Sequence, residues 1–162
     1  MEWNKLFAMQ KELDSYIEEN KQLTERDDLF TKKILALLVE LGELANETRC
    51  FKFWSSKASS ERSVILEEYV DGVHFILSLG IEKGFTIDGL YVEKAKNGQT
   101  EQFLDVFEKV LQFQKNPNQS SYNELMISYL QLGALLGFSE EDVQQAYVEK
   151  NEVNFARQDQ GY

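Results

Sequence analysis

One proline, Pro117, stands in a chain of 162 residues. Proline removes a helical N–H and clashes with the preceding turn, so its scarcity leaves long stretches free to run as unbroken helix. Leu, Glu, Lys and Gln fill those stretches, and all are good helix formers. Apolar residues recur along them at three- and four-residue spacing, the mark of helices with one buried stripe. The pattern predicts an all-α bundle of about six helices. With 43% hydrophobic and 28% charged residues, the chain has enough apolar surface to build a core. Its length suits a single domain over residues 1–162.

The first helix is expected from about Glu2 to Asn20, where Trp3, Leu6, Phe7, Leu13 and Ile17 form a stripe that Gln10 and Asp14 interrupt. A buried polar group needs a hydrogen-bond partner, so Gln10 should meet either core backbone or a ligand. Lys21 to Asp28 reads as a connection. The second helix, Leu29 to Thr48, buries Ile34, Leu37, Leu38, Leu41, Leu44 and Ala45. A loop follows, in which Phe51, Phe53 and Trp54 read first as core plugs and second as ligand contacts. Ser60 is the expected cap of a third helix, Glu61 to Lys83, that Gly84 or Gly80 ends. Asp88 should cap a short helical stretch through Lys96. Further helices are expected over Thr100 to Lys115 and Ser121 to Leu136, and a last one opens at the capping box Ser139-Glu-Glu-Asp142.

Chemistry concentrates on two acidic runs, Glu40-Leu-Gly-Glu43 continuing to Glu47, and Glu68-Tyr-Val-Asp71. Residues three or four apart share a helix face, so each run projects its carboxylates together. Such groups repel one another unless a cation lies between them, and four carboxylates from two packed helices suit a hard divalent metal. The alternative is a solvated acidic stripe. On the third helix Glu67, Glu68, Asp71, His74, Phe75 and Ser78 fall on the arc opposite Ile65, Leu66, Tyr69, Val70, Val73, Ile76 and Leu77. Phe75 therefore reads either as a stacking platform or as a contact to a second core layer or copy. His74 taken alone reads as a surface histidine. Along the last helix Tyr147, Lys150, Asn154 and Arg157 form one polar strip, suited either to an anion carrying a polyol or to surface salt bridges.

Several function classes fall away. A net charge of −11 argues against a nucleic-acid-backbone binder, which needs clustered Lys and Arg. His74 is the only histidine, so a di-iron bundle with two Glu-x-x-His motifs is excluded. Cys50 is the only cysteine, which rules out an intrachain disulfide and a thiolate metal cluster. Neither a nucleophilic triad nor a Walker-type phosphate loop is present. No apolar run reaches membrane-spanning length and the N-terminal residues lack a signal-peptide pattern, so no membrane partner is expected and a cytoplasmic location is. A carboxylate-bound Mg²⁺ site beside a cationic strip and an aromatic platform fits a nucleoside triphosphate.

The motif Glu40-x-x-Glu43, 24 intervening residues, then Glu68-x-x-Asp71 resembles the all-α nucleoside triphosphate pyrophosphohydrolases. The C-terminal Tyr147-x-x-Lys150-Asn151-x-x-Asn154-x-x-Arg157-Gln158-x-x-Gly161-Tyr162 resembles the last motif of the dimeric dUTPases in that superfamily. Gln10, Phe53-Trp54 and His74-Phe75 match further motifs, while Phe85 to Leu136 carries little of the likeness. The resemblance implies hydrolysis of dUTP to dUMP and pyrophosphate. Glu40, Glu43, Glu68 and Asp71 would hold two or more Mg²⁺ ions, and Glu40 would position or deprotonate the attacking water. Gln10, Trp54 and the His74 backbone would bound a uracil stacked on Phe75, with Asn154 at the deoxyribose and Lys150, Arg157 and Tyr162 on the phosphates. Glu47 is left as an outer or additional metal ligand. The resemblance also implies a homodimer. Alternatives are a relative that prefers dCTP or a non-standard nucleotide, or a helical interaction protein on the same scaffold; an active enzyme can also bind a protein regulator.

Overall fold

The computed structural model describes residues 1–24 and 28–162, and within them the chain forms six α-helices and no strand. They are α1 (Trp3–Asn20), α2 (Leu29–Thr48), α3 (Arg62–Lys83), α4 (Gln99–Lys115), α5 (Gln119–Leu135) and α6 (Glu140–Asp159). Residues 25–27 of the expected Lys21–Asp28 connection lie outside the described residues. No helix among the described residues is long and apolar enough to cross a membrane.

The helix ends follow local chemistry. Asp28 caps α2 by accepting from the Thr31 N–H at 3.0 Å. At α6 the Ser139 hydroxyl accepts from the Asp142 N–H while Asp142 accepts from the Ser139 N–H, completing the expected box. Gly84 ends α3 in the left-handed conformation, φ 72°. Two expectations fail. Ser60 does not cap α3, because its hydroxyl donates to Glu47 and its N–H to the Glu47 carbonyl. The stretch from Asp88 to Lys96 is not helical. Gly89 follows Asp88 at φ 59°, which turns the chain away from a helix, and the Gln131 side chain donates to the Glu93 carbonyl.

Helix α3 is the centre of the molecule, packed against α1, α2, α5 and α6. Tyr69, Val70, Gly72, Val73, His74, Ile76, Leu77, Ser78, Leu79 and Gly80 are all buried, so burial runs around its circumference. The reading of His74 as a surface histidine is therefore incorrect, and Ser78 one turn on is buried with it: α1 and α6 cover that side. Core helices cross closely where glycine removes a side chain. The stacked rings of Tyr69 and Tyr129 lie 4.7 Å apart, each tyrosine facing a glycine of the other helix. A Cβ on Gly72 would stand 2.0 Å from the Tyr129 hydroxyl, and one on Gly133 would stand 2.4 Å from that of Tyr69.

Candidate active site

Helix α2 supplies Glu40 and α3 supplies Glu68 and Asp71, all half-buried, and their carboxylate oxygens lie within 4.8 Å of one another. Adjacent turns of two packed helices make this convergence possible. Burial, then the charges of Asp71, Glu43 and Glu68, push the Glu40 carboxyl up to about 7. Burial also raises Glu68 and Asp71. Three oxygen donors held this close and this reluctant to ionise together form a group that can hold a divalent metal ion. Glu43 is exposed and is not one of the close triad, but it acts on Glu40 through its charge and a side-chain hydrogen bond, and on Glu68 through its charge. Glu47 is tied to Ser60.

A cavity of about 380 Å³ opens beside this cluster, between α1, α2, α3 and α6. Of the expected site residues, Gln10, Glu40, Asp71, His74 and Phe75 line it, and so do Asn154, Arg157 and Tyr162. The two ends of the chain thus meet in one space because α1 and α6 both pack on α3. Arg157 lies over the Tyr162 ring, 5.4 Å from its centroid.

Lys150 is on α6 but not on the cavity wall. Its ammonium donates to Asp71 Oδ2 and to Glu67 Oε1, each at 2.8 Å. Asp71 remains raised because its burial outweighs this cation. Tyr147 does not belong to a polar strip: its ring is fully buried and stacks on His74 at 4.1 Å. Its hydroxyl donates to Gln10 Oε1 at 2.7 Å, which His74 Nδ1 also approaches at 2.7 Å. Gln10 in turn donates to Asp14. So Gln10 has structural partners and still borders the cavity.

Trp54 is 65% exposed on the loop between α2 and α3, in edge-to-face contact with Phe51 and with Phe53, itself 94% exposed. These aromatics are not core plugs, and Trp54 does not line the cavity. Sequence reasoning did not assign Asp14, Lys33, Ser78 or Gln158 to the site, yet all four line it. Ser78 donates to Asp14 at 2.6 Å and Lys33 pairs with Glu82 at 2.9 Å. The available signal was Asp14 breaking an apolar stripe one turn after Gln10, and Ser78 one turn after His74.

No curated protein matches the chain in sequence. A family model described as dUTPase matches residues 2–162, including the stretch from Phe85 to Leu136 in which sequence reading found little likeness. Together with the all-helical fold and the acidic cavity, that match settles the family: the chain belongs to the all-α, dimeric dUTPases, and its activity is the hydrolysis of dUTP.

Proposed function

We propose that residues 1–162 act as one domain of a Mg²⁺-dependent, cytoplasmic, homodimeric enzyme that converts dUTP to dUMP and pyrophosphate by water attack at the α-phosphate. The observation that carries this reading is a single cavity lined by carboxylates Glu40 and Asp71, aromatic Phe75 and cation Arg157. Glu40, Glu68 and Asp71 would hold the metal, with Glu43 completing the set from its exposed position. Mg²⁺ held there supplies positive charge to the triphosphate and lowers the pKa of water.

The remaining work falls to the side chains. Phe75 stacks on the uracil, and Gln10 and the His74 backbone edge it. Asn154 meets the deoxyribose. Arg157, Lys150 and Tyr162 bind phosphate oxygens and orient the α-phosphate for in-line attack. The water oxygen bonds to the α-phosphorus as its proton passes to Glu40. The bond to the bridging oxygen breaks, and its electron pair leaves with pyrophosphate. Trp54 stands outside this set, and its assignment to the base rests on family resemblance alone. Homodimer formation is supported by exposed apolar side chains on two packed helices, Leu35 and Val39 on α2 and Leu104 and Leu111 on α4.

The test is pyrophosphate release from dUTP, dCTP, dTTP and UTP, with and without Mg²⁺. We expect Mg²⁺-dependent release from dUTP above the others, and about a hundredfold loss or more in Glu40→Gln and Asp71→Asn with helical content kept. Preference for another base would move the substrate, and full turnover in both variants would remove the metal assignment.

A further inference from the structure

We infer that Lys150 is a displaceable counter-ion of the metal carboxylates, and that Glu67 is the positioning residue that keeps its ammonium beside the site once Asp71 turns to a divalent ion. The inference rests on the metal reading above. Glu67 belongs to neither acidic pair and does not line the cavity.

One carboxylate serves two purposes here. Asp71 belongs to the oxygen triad with Glu40 and Glu68, and its Oδ2 also accepts from Lys150 at 2.8 Å. The side chains of Lys150 and Asp71 are 10% and 19% exposed, so neither charge is well served by water. The ammonium thus neutralises part of an acidic cluster whose members otherwise repel. A divalent ion and an ammonium within reach of the same carboxylate repel each other. Loading the metal therefore requires Lys150 to withdraw.

Glu67 makes that withdrawal possible without stranding a buried cation. It precedes Asp71 by four residues on α3, which puts the two carboxylates on one face. It already accepts from Lys150 Nζ at 2.8 Å and is 56% exposed. An ammonium held by Glu67 alone is unsaturated, with donors left for an incoming anion. The arrangement couples two events: metal entry frees the lysine, and the freed lysine meets phosphate. Metal and nucleotide then bind with positive cooperativity, and the metal-free cluster is relieved of part of its own repulsion.

The experiment observes the ammonium itself. In protein labelled with ¹⁵N-lysine, the Lys150 ammonium resonance is assigned by its loss in Lys150→Arg and followed through a Mg²⁺ titration without nucleotide, alongside calorimetry on the same samples. We expect the resonance to move with the calorimetric midpoint. Lys150→Met should bind Mg²⁺ about tenfold more tightly, the scale of one charge-assisted hydrogen bond. Glu67→Gln should bind it more weakly, and Glu67→Asp should restore the affinity. A Lys150 resonance that stays fixed while Mg²⁺ binds overturns the inference, whether or not the variants fold. Absence of any Mg²⁺ binding to the wild-type chain would instead remove the metal reading beneath it.

Discussion

The hydroxyl of Tyr69 donates to the carbonyl of Tyr129 at 3.0 Å, and the hydroxyl of Tyr129 donates back to the carbonyl of Tyr69 at 2.7 Å. Sixty positions separate the two residues in sequence, so the exchange fastens α3 to α5 at two points across one pair of stacked rings. Both tyrosines are buried, and neither hydroxyl has access to water as a substitute partner. Removing one hydroxyl costs about 1 kcal/mol of stability, the usual net value of a buried hydrogen bond. Tyr129→Phe should show that loss in urea unfolding. Gly72→Ala should cost more, about 1–3 kcal/mol, because its methyl displaces the Tyr129 ring. Equal stability of Gly72→Ala and wild type would mean the crossing has slack.

His74 predicts a pH dependence. Burial, then the charge of Lys150, hold its imidazole at about 3, against an opposing pull from the Tyr147 backbone. Between the unfolded value of 6.5 and about 3 the unfolded chain takes up a proton that the folded chain refuses. Stability contributed by neutral His74 is complete above 6.5 and is lost as pH falls through that window. His74→Asn should therefore be less stable at pH 7 but lose stability less steeply towards pH 4. Urea midpoints at pH 7, 5.5 and 4 measure both slopes, and parallel slopes contradict the assignment.

Phe75 should act on substrate capture more than on turnover. It is half-buried, lines the cavity and lies one turn from Asp71. Stacking of a base on an aromatic ring is worth about 1–3 kcal/mol, so Phe75→Ala should raise KM for dUTP about tenfold or more while kcat falls less. Phe75→Tyr should keep most of the affinity. Steady-state kinetics on the two variants decide it, and an unchanged KM in the alanine variant removes the platform.

The exposed apolar side chains of α2 and α4 carry the prediction for assembly. Leu104 is 66% exposed and Leu35 is 62% exposed, and neither lines the cavity beside the acidic cluster. A charge placed there costs little in an isolated chain but much in a closed interface. Leu104→Glu should shift the mass seen by light scattering from dimer to monomer with little change in helical content. A dimer that survives the substitution lies on another face.

How much of this was legible beforehand varied with the physics involved. The bounds of α2 could be read directly, because Asp28 caps one end and the apolar spacing stops at the other. The capping box of α6 was equally local. Asp88 offered a similar cap, but Gly89 and the absence of a sustained apolar stripe left no helix to cap. Burial of His74 and Ser78 was not legible, since one helix's periodicity describes a stripe and cannot show neighbours on every side. Exposure of Phe53 and Trp54 was hidden for the converse reason: an aromatic residue looks like core until nothing is found to cover it. The acidic pairs announced themselves by spacing. That Asp71 would be claimed by Lys150, 79 positions later, depends on how α6 crosses α3, which no local pattern contains.

Helix α3 also sets a length. Glu68, Asp71 and Phe75 are fixed on one rod that rises about 1.5 Å per residue, so the carboxylate end and the aromatic ring are about 6–10 Å apart along its axis. Because the backbone hydrogen bonds of a helix fix that rise, the spacing does not adjust to suit a guest. With the roles proposed for these residues, the helix is a ruler, and a ligand would be measured by whether its charged end and its flat end fall on the two marks at once.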